Sequence, residues 1–294
     1  MIRTLLCFIG ATIALTGADR SFLMLGGLTQ IVDASGKATW KYPAVTRDGY
    51  ILPNGNLLLT LSKSKAYPGG AVVEVTRDQK LVWEYKGTQS EVNTAVLLEN
   101  GNIMLTEAGD KPRLLEVARD GAIKVEIPLG CQITNHHMQS RMARKLPDGH
   151  YLVPQEKTVR EYDATGKVFW ERKSPESALD NRSFCCLRNA AGHTLISLTL
   201  GNHIIEVDPS GKIVWELRDG DLPGVPVNRT TALSWLPNGN IVFSNYAARA
   251  PQPKLVEITR DKKVVWTYTD PSNQGVHEFQ LLDEAGQPLT GVLR

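Results

Sequence analysis

The sequence predicts an all-β fold: a six-bladed β-propeller of four-stranded antiparallel blades, its ring closed by pairing of the N- and C-terminal hairpins. Three observations carry this reading. A hairpin anchored by Trp in five copies and by Val in the third recurs six times, a hairpin tipped by Asn-Gly or a relative alternates with it, and the chain opens with one kind and closes with the other. A unit that repeats at roughly 45 residues cannot bury its own apolar face and must stack on its neighbours.

The first hairpin is clearest in Glu161-Tyr162-Asp163-Ala164-Thr165-Gly166-Lys167-Val168-Phe169-Trp170 and in Glu206-Val207-Asp208-Pro209-Ser210-Gly211-Lys212-Ile213-Val214-Trp215. Its anchor stands at Trp40, Trp83, Val125, Trp170, Trp215 and Trp266, with gaps of 43, 42, 45, 45 and 51 residues. Four residues earlier comes Gly36, Gln79, Gly121, Gly166, Gly211 or Lys262, the tip of a tight turn that needs positive φ. The repeated indole is a flat, mostly apolar ring suited to the gap between twisted blades, with an N–H free to find a partner.

The second hairpin has the tips Asn54-Gly55-Asn56, Asn100-Gly101-Asn102, Asp148-Gly149-His150, Ala191-Gly192-His193, Asn238-Gly239-Asn240 and Ala285-Gly286-Gln287. Its flanks, such as Leu57-Leu58-Leu59 and Ile241-Val242-Phe243, are apolar on both faces, as sheets packed face to face require. Two hairpins per repeat give four strands, one propeller blade. The opening hairpin, about 29–41, and the closing one, about 276–294, complete a single blade and remove the exposed sheet edges. Residues 19–30 are too short for a seventh blade, and no linker or charge block divides 19–294, so one domain is expected.

Composition narrows the function classes. Of 294 residues, 42% are hydrophobic and 22% charged, and the formal charge of +2 argues against nucleic acid as a partner. Residues 1–18 read as a signal peptide: Arg3, an apolar run from Leu5 to Leu15 too short to span a bilayer, then Thr16-Gly17-Ala18. A periplasmic or secreted, monomeric protein that does not span the membrane is expected. Cleavage leaves Cys131, Cys185 and Cys186, compatible with one disulfide or none.

The runs Tyr162 to Trp170 and Val207 to Trp215 carry Asp, Gly-Lys and Trp at the spacing of the tryptophan-docking motif of PQQ-like, quinoprotein-type propeller repeats. The chain resembles compact, non-dehydrogenase members of that group and is distantly similar to arylsulfotransferase-type propellers. The dehydrogenases have more blades and longer chains, and the extra N-terminal domain of the sulfotransferases has no counterpart here. The first resemblance implies PQQ as a possible cofactor, although no cofactor is the expectation. The second implies histidines and an arginine at the centre. Adjacent cysteines lie beside the quinoprotein cofactor, whereas Cys185-Cys186 sits in the apolar run Phe184-Cys185-Cys186-Leu187 and reads as core.

Superposed repeats sort the polar residues. His150 and His193 occupy a turn position held elsewhere by Asn, and His203 reads as a surface residue. His136, His137 and His277 remain, at the start of the strand taken as innermost. Arg182 and Arg229 fall at equivalent positions in Asn181-Arg182-Ser183 and Asn228-Arg229-Thr230, which argues against reading those asparagines as glycosylation sites. Arg47, Asn93 and Arg141 lie two residues further along in three other blades, and Gln139 stands in the dense polar stretch 135–141.

Guanidinium forks match carboxylate, phosphate or sulfate oxygens in pairs. The ligand-binding candidates are therefore Arg47, Asn93, Gln139, Arg141, Arg182 and Arg229. Histidines beside arginines stay neutral and leave a ring nitrogen as base or nucleophile, so His136, His137 and His277 are the catalytic candidates if the protein is an enzyme. Adjacent residues on a strand face opposite ways, which argues against His136-His137 as a metal pair, and Asp219-Gly220-Asp221 lacks the other ligands of a calcium loop. The expected function is binding of a small anion or an acidic or sulfated sugar in an Arg/His-lined pocket. The alternatives are an arylsulfotransferase-like or polysaccharide-lyase-like enzyme using the same pocket, and a protein-interaction scaffold.

Overall fold

The computed structural model describes residues 19–294; the signal-peptide expectation falls on 1–18, outside the described residues. The fold is the six-bladed propeller that the repeats predict, with six four-stranded antiparallel sheets in a ring. Helix is confined to the single turns His136–Met138 and Thr199–Gly201. No helix among the described residues is long and apolar enough to cross a membrane.

Blade two shows the plan: strands Thr46–Ile51, Leu57–Leu61, Ala71–Val75 and Leu81–Lys86 run outward from the axis in chain order. The inner strands of blades three to six are Glu91–Leu97, Arg144–Lys145, Ser183–Arg188 and Thr230–Trp235. All twelve repeated turn tips adopt positive φ, between 62° and 90°. Gln79 and Lys262 do so where the other copies have Gly, because the turn position dictates the conformation even without glycine.

Blade one closes the ring differently from the expected pair of hairpins. Its inner strand, Val276–Leu282, pairs with Ser21–Gly26, which precedes Thr29–Val32 and Ala38–Tyr42. Three strands thus come from the N-terminal side and one from the C-terminal side. Residues 283–294 turn back as an irregular strap, bridging Leu282 to Pro288 and Trp235 to Leu293. The hairpin tip at Gly286 is real, but the strand after it is not, because Ser21–Gly26 already holds the ladder edge that it would need.

The apolar core divides into six clusters, each shared by two neighbouring blades. Phe184, Leu195 and Ile204 of blade five meet Leu233, Phe243 and Val256 of blade six, for example, and Phe22 and Phe279 of blade one meet Leu255 and Trp266 of blade six. Strand faces are thereby satisfied between blades rather than at the axis, which leaves the axis to polar side chains. The anchoring indoles bridge blades. Nε1 of Trp40, Trp83 and Trp215 donates to the carbonyl of Arg77, Arg119 and Arg260 at 2.8–2.9 Å.

Candidate functional site

At the N-terminal ends of the inner strands the ladder is interrupted in blade after blade. Arg47, Asn93, Phe184 and His277 are single extra residues with no partner across the strand pair, and Thr231-Ala232 faces one residue in blade six. A β-bulge bends its strand and re-aims the side chain. Here the bulges turn Arg47, Phe184, Thr231 and His277 into one cavity of about 440 Å3 at the mouth of the channel. Arg182 and Arg229 enter it from the loops just before two inner strands, and Tyr246 from the end of Ile241–Asn245.

Blade four departs most from the repeat. Its inner strand has only two residues, and the segment before it crosses the mouth as a helical turn with isolated bridges at Ser140–Gln155 and Met142–Cys185. This detour carries His137, Met138 and Arg141 into the cavity. Tyr246 is held by close packing: a Cβ at Gly275 would lie 2.3 Å from its ring, and His277 forms a T-shaped pair with it at 4.9 Å between centroids.

The charges are unevenly paired. Glu91, buried at the start of its strand, takes Arg47 Nη2 at 3.2 Å and His137 Nδ1 at 3.1 Å. Burial works against its carboxylate, but the His137 hydrogen bond and the Arg47 charge outweigh it and hold the group at about 2. Arg141 has no carboxylate partner among the described residues. Its one side-chain hydrogen bond goes to Asn93 Oδ1 at 3.2 Å, and its guanidinium lies 5.3 Å from the Phe184 ring centre. Burial, then repulsion by Arg47, pulls it down to about 9. His277 is held well below the ordinary imidazole range by burial, then by Arg47 and Arg141, and its Nδ1 is buried without a partner among the described residues. Arg182 is tied to Asp180 at 2.6 Å, while Arg229 sits exposed at φ +50°, its backbone N–H donating to Asn202 Oδ1.

Six expected residues therefore share the cavity: Arg47, His137, Arg141, Arg182, Arg229 and His277. Three do not line it. His136 points into the loops between blades, with Nδ1 on Ser90 Oγ at 2.7 Å and Nε2 on Asp110 at 3.2 Å. Gln139 uses its amide on Gly109 N, Gly109 O and Ile133 O, bracing two loops. Asn93 stands behind Arg141, donating to Ser140 O and accepting from the guanidinium. His203, expected at the surface, is buried with Nε2 3.3 Å from Glu216. Lys254, at the same position in blade six, is equally buried and donates to Ser272 O and Gln274 O. Sequence reasoning passed over Glu91, Phe184 and Tyr246. Only the strand position of Glu91, level with the histidine segment, hinted at a role.

Below the cavity the channel is filled. Arg144 bonds Asp48 and Glu278, each at 3.1 Å, and the Arg294 guanidinium reaches the same two carboxylates at 3.7 Å while donating to Gly49 O and Phe279 O. Two buried carboxyl groups thus face two buried guanidinium groups. On the rim, Asp148, His150 and Glu161 approach metal-ligand geometry. Glu161 already pairs with Arg188, and blade five repeats the arrangement with His193, Glu206 and Arg260, so the cluster is a blade-to-blade brace. Cys131, Cys185 and Cys186 are free thiols, the last two buried in Ser183–Arg188.

No known protein family matches the chain, and no curated protein does. Among solved structures, a protein of unknown function from Bacteroides caccae is similar at a TM-score of 0.76, with 23% identity over 90% of this chain and all of that one (100%). A streptogramin B lyase is similar at 0.63, with 16% identity over 93% of this chain and 90% of the lyase. A catalytically inactive His-to-Ala variant of virginiamycin B lyase from Staphylococcus aureus, solved with quinupristin, gives 0.60 and 18% identity over 86% of each chain. At these identities the likeness establishes the fold alone: the chain is a six-bladed β-propeller with structural neighbours of the virginiamycin B lyase type.

Proposed function

We propose that this propeller binds a small organic anion, bearing carboxylate, sulfate or phosphate, in the cavity at the mouth of its channel. The observation that carries the reading is Arg141: a buried guanidinium in a cavity wall, bonded to a neutral amide and packed on a phenyl ring, with no ion pair among the described residues. An unpaired buried charge is costly, and an anion in the cavity relieves that cost. Arg182 and Arg229 at the rim add steering, and His277 and Tyr246 add polar edges to a wall otherwise made by Phe184, Met138 and Leu200.

Thermal melts against sulfate, phosphate, citrate and glucuronate test this. An anion present at about 100 times its Kd adds about 2.7 kcal/mol, which for a chain of this size raises Tm by roughly 5 °C or more. Arg141→Met is expected to abolish the shift; a shift that survives this change and the Arg182→Ala/Arg229→Ala double variant refutes the site. The blade-bridging indoles support reading the chain as a compact relative of the PQQ-like repeat propellers. Export is part of the proposal, on the strength of the leader at 1–18, and N-terminal sequencing of the mature protein tests it by looking for a start near Asp19.

A further inference from the structure

Of the residues around the cavity, Glu91 and His137 stand in a relation that anion binding does not require. Glu91, paired with Arg47, accepts from His137 Nδ1, and in the neutral ring that hydrogen bond leaves the lone pair on Nε2 across the ring. That nitrogen has no partner among the described residues, and the ring is half-exposed in the cavity wall. Arg47 pins the carboxylate from its other side, so the ring orientation is set by two buried groups. The other carboxylate-paired histidines, His136, His150, His193 and His203, lie on the rim or among loops, outside this cavity. Among the described residues, His137 alone combines a carboxylate-oriented imidazole with a place in the cavity that holds Arg141.

We propose that the cavity removes a proton from the carbon next to a bound carboxylate, with His137 Nε2 as the base, Glu91 as its positioning residue and Arg141 as the carboxylate anchor. The substrate class is a uronate, or a similar acid, carrying an oxygen substituent on the adjacent carbon. The proposal rests on the anion-binding reading of the same cavity. Pairing a carboxylate with guanidinium offsets the charge that otherwise resists carbanion formation. Nε2 takes the α proton, the C–H electron pair becomes the new C=C bond, and the β C–O bond breaks. The departing oxygen takes a proton from water at the open mouth, and the imidazolium returns its proton to solvent. Atoms and electrons balance with no oxidant, reductant or metal.

The experiment uses the full protein with oligogalacturonate, oligoalginate and heparin-derived oligosaccharides in D2O. Binding is read by calorimetry, deuterium uptake at the α carbon by mass spectrometry, and the conjugated unsaturated acid by its ultraviolet absorbance. At least one acid is expected to bind and to show uptake or unsaturation. His137→Gln, at a half-exposed position that tolerates change, is expected to lose about 100-fold or more in rate with affinity held within about threefold. Glu91→Gln is expected to lose on the order of tenfold in rate under saturating acid and to move the His137 nitrogen NMR shifts away from the Nδ1–H pattern. Acids that bind without uptake or product, or a His137→Gln protein that still turns over, refute the proton-transfer role while leaving anion binding intact. If none of the acids binds and the inorganic anions also fail, the cavity reading itself falls, and this inference with it.

Discussion

Arg47, Glu91, Arg141 and His277 form a small electrostatic unit whose behaviour with pH follows from the direction of each shift. His277 is neutral in the fold well below its ordinary value of 6.5, so only the unfolded chain takes up its proton as pH falls below 6.5. Its contribution is present above 6.5 and declines below it. Glu91, held at about 2 against an ordinary 4.5, contributes fully above 4.5 and loses that contribution as pH falls toward 2. Between pH 6.5 and 5 only the His277 contribution of the two changes, which makes the residues separable there. Urea unfolding between pH 6.5 and 5 is expected to show a downward slope in stability that His277→Phe flattens, since the Phe184 and Tyr246 rings around it accept a phenyl group. An unchanged slope in that variant would refute the assignment. Glu91→Gln leaves the buried Arg47 guanidinium without its counter-charge, and a loss of about 3–5 kcal/mol at pH 7 is expected in the same assay. The histidines and arginines were legible as residue types at repeated places; the Glu91 pairing was not, because it joins positions 46 apart in sequence through a segment that abandons its strand.

The element that organises the molecule is the docked hairpin. Trp215 places its N–H on the Arg260 carbonyl at 2.9 Å and its ring beneath the Arg260 guanidinium at 4.5 Å, and that arginine also pairs with Glu206. Trp215→Ala removes a large ring and a hydrogen bond across a blade seam, and a loss of roughly 3 kcal/mol is expected by denaturant unfolding. Trp215→Phe keeps most of the apolar contact and is expected to lose only about 1 kcal/mol, the hydrogen bond. Both hairpin types were legible because turn chemistry is local: positive φ at Gly166 or Gly239 is demanded by the immediate backbone. The bulges at Arg47, Asn93, Phe184 and His277 were not legible. A bulge is a mismatch between two strands, and the sequence of one strand alone does not show where its partner slips.

At the scale of the whole molecule, stability depends on the ring staying closed. Ser21–Gly26 covers one side of Val276–Leu282, and Phe22 and Met24 fill the seam with blade six. Removing residues 19–27 leaves that inner strand as a bare, hydrophobic edge, and such edges pair with other chains. The shortened protein is expected to lose its cooperative melt and to elute as oligomers on size exclusion; a monomer with an unchanged Tm would show that closure does not hold the ring. The filled channel below the cavity adds a second tie, because Arg144 and Arg294 join blades two, four and one to the strap.

By itself the sequence determined the blade count, the strand pattern, the turn positions and the class of side chain available at the axis. Each follows from short-range chemistry repeated around the ring: a glycine at ten of the twelve turn tips where φ is positive, an indole at five of the six places where two sheets meet. Tertiary structure alone decided which of those side chains share a cavity, which are consumed as braces, and that the last blade closes three strands to one. Those outcomes depend on register between strands and on contacts spanning most of the chain, such as Arg294 with Gly49, and no local rule specifies them.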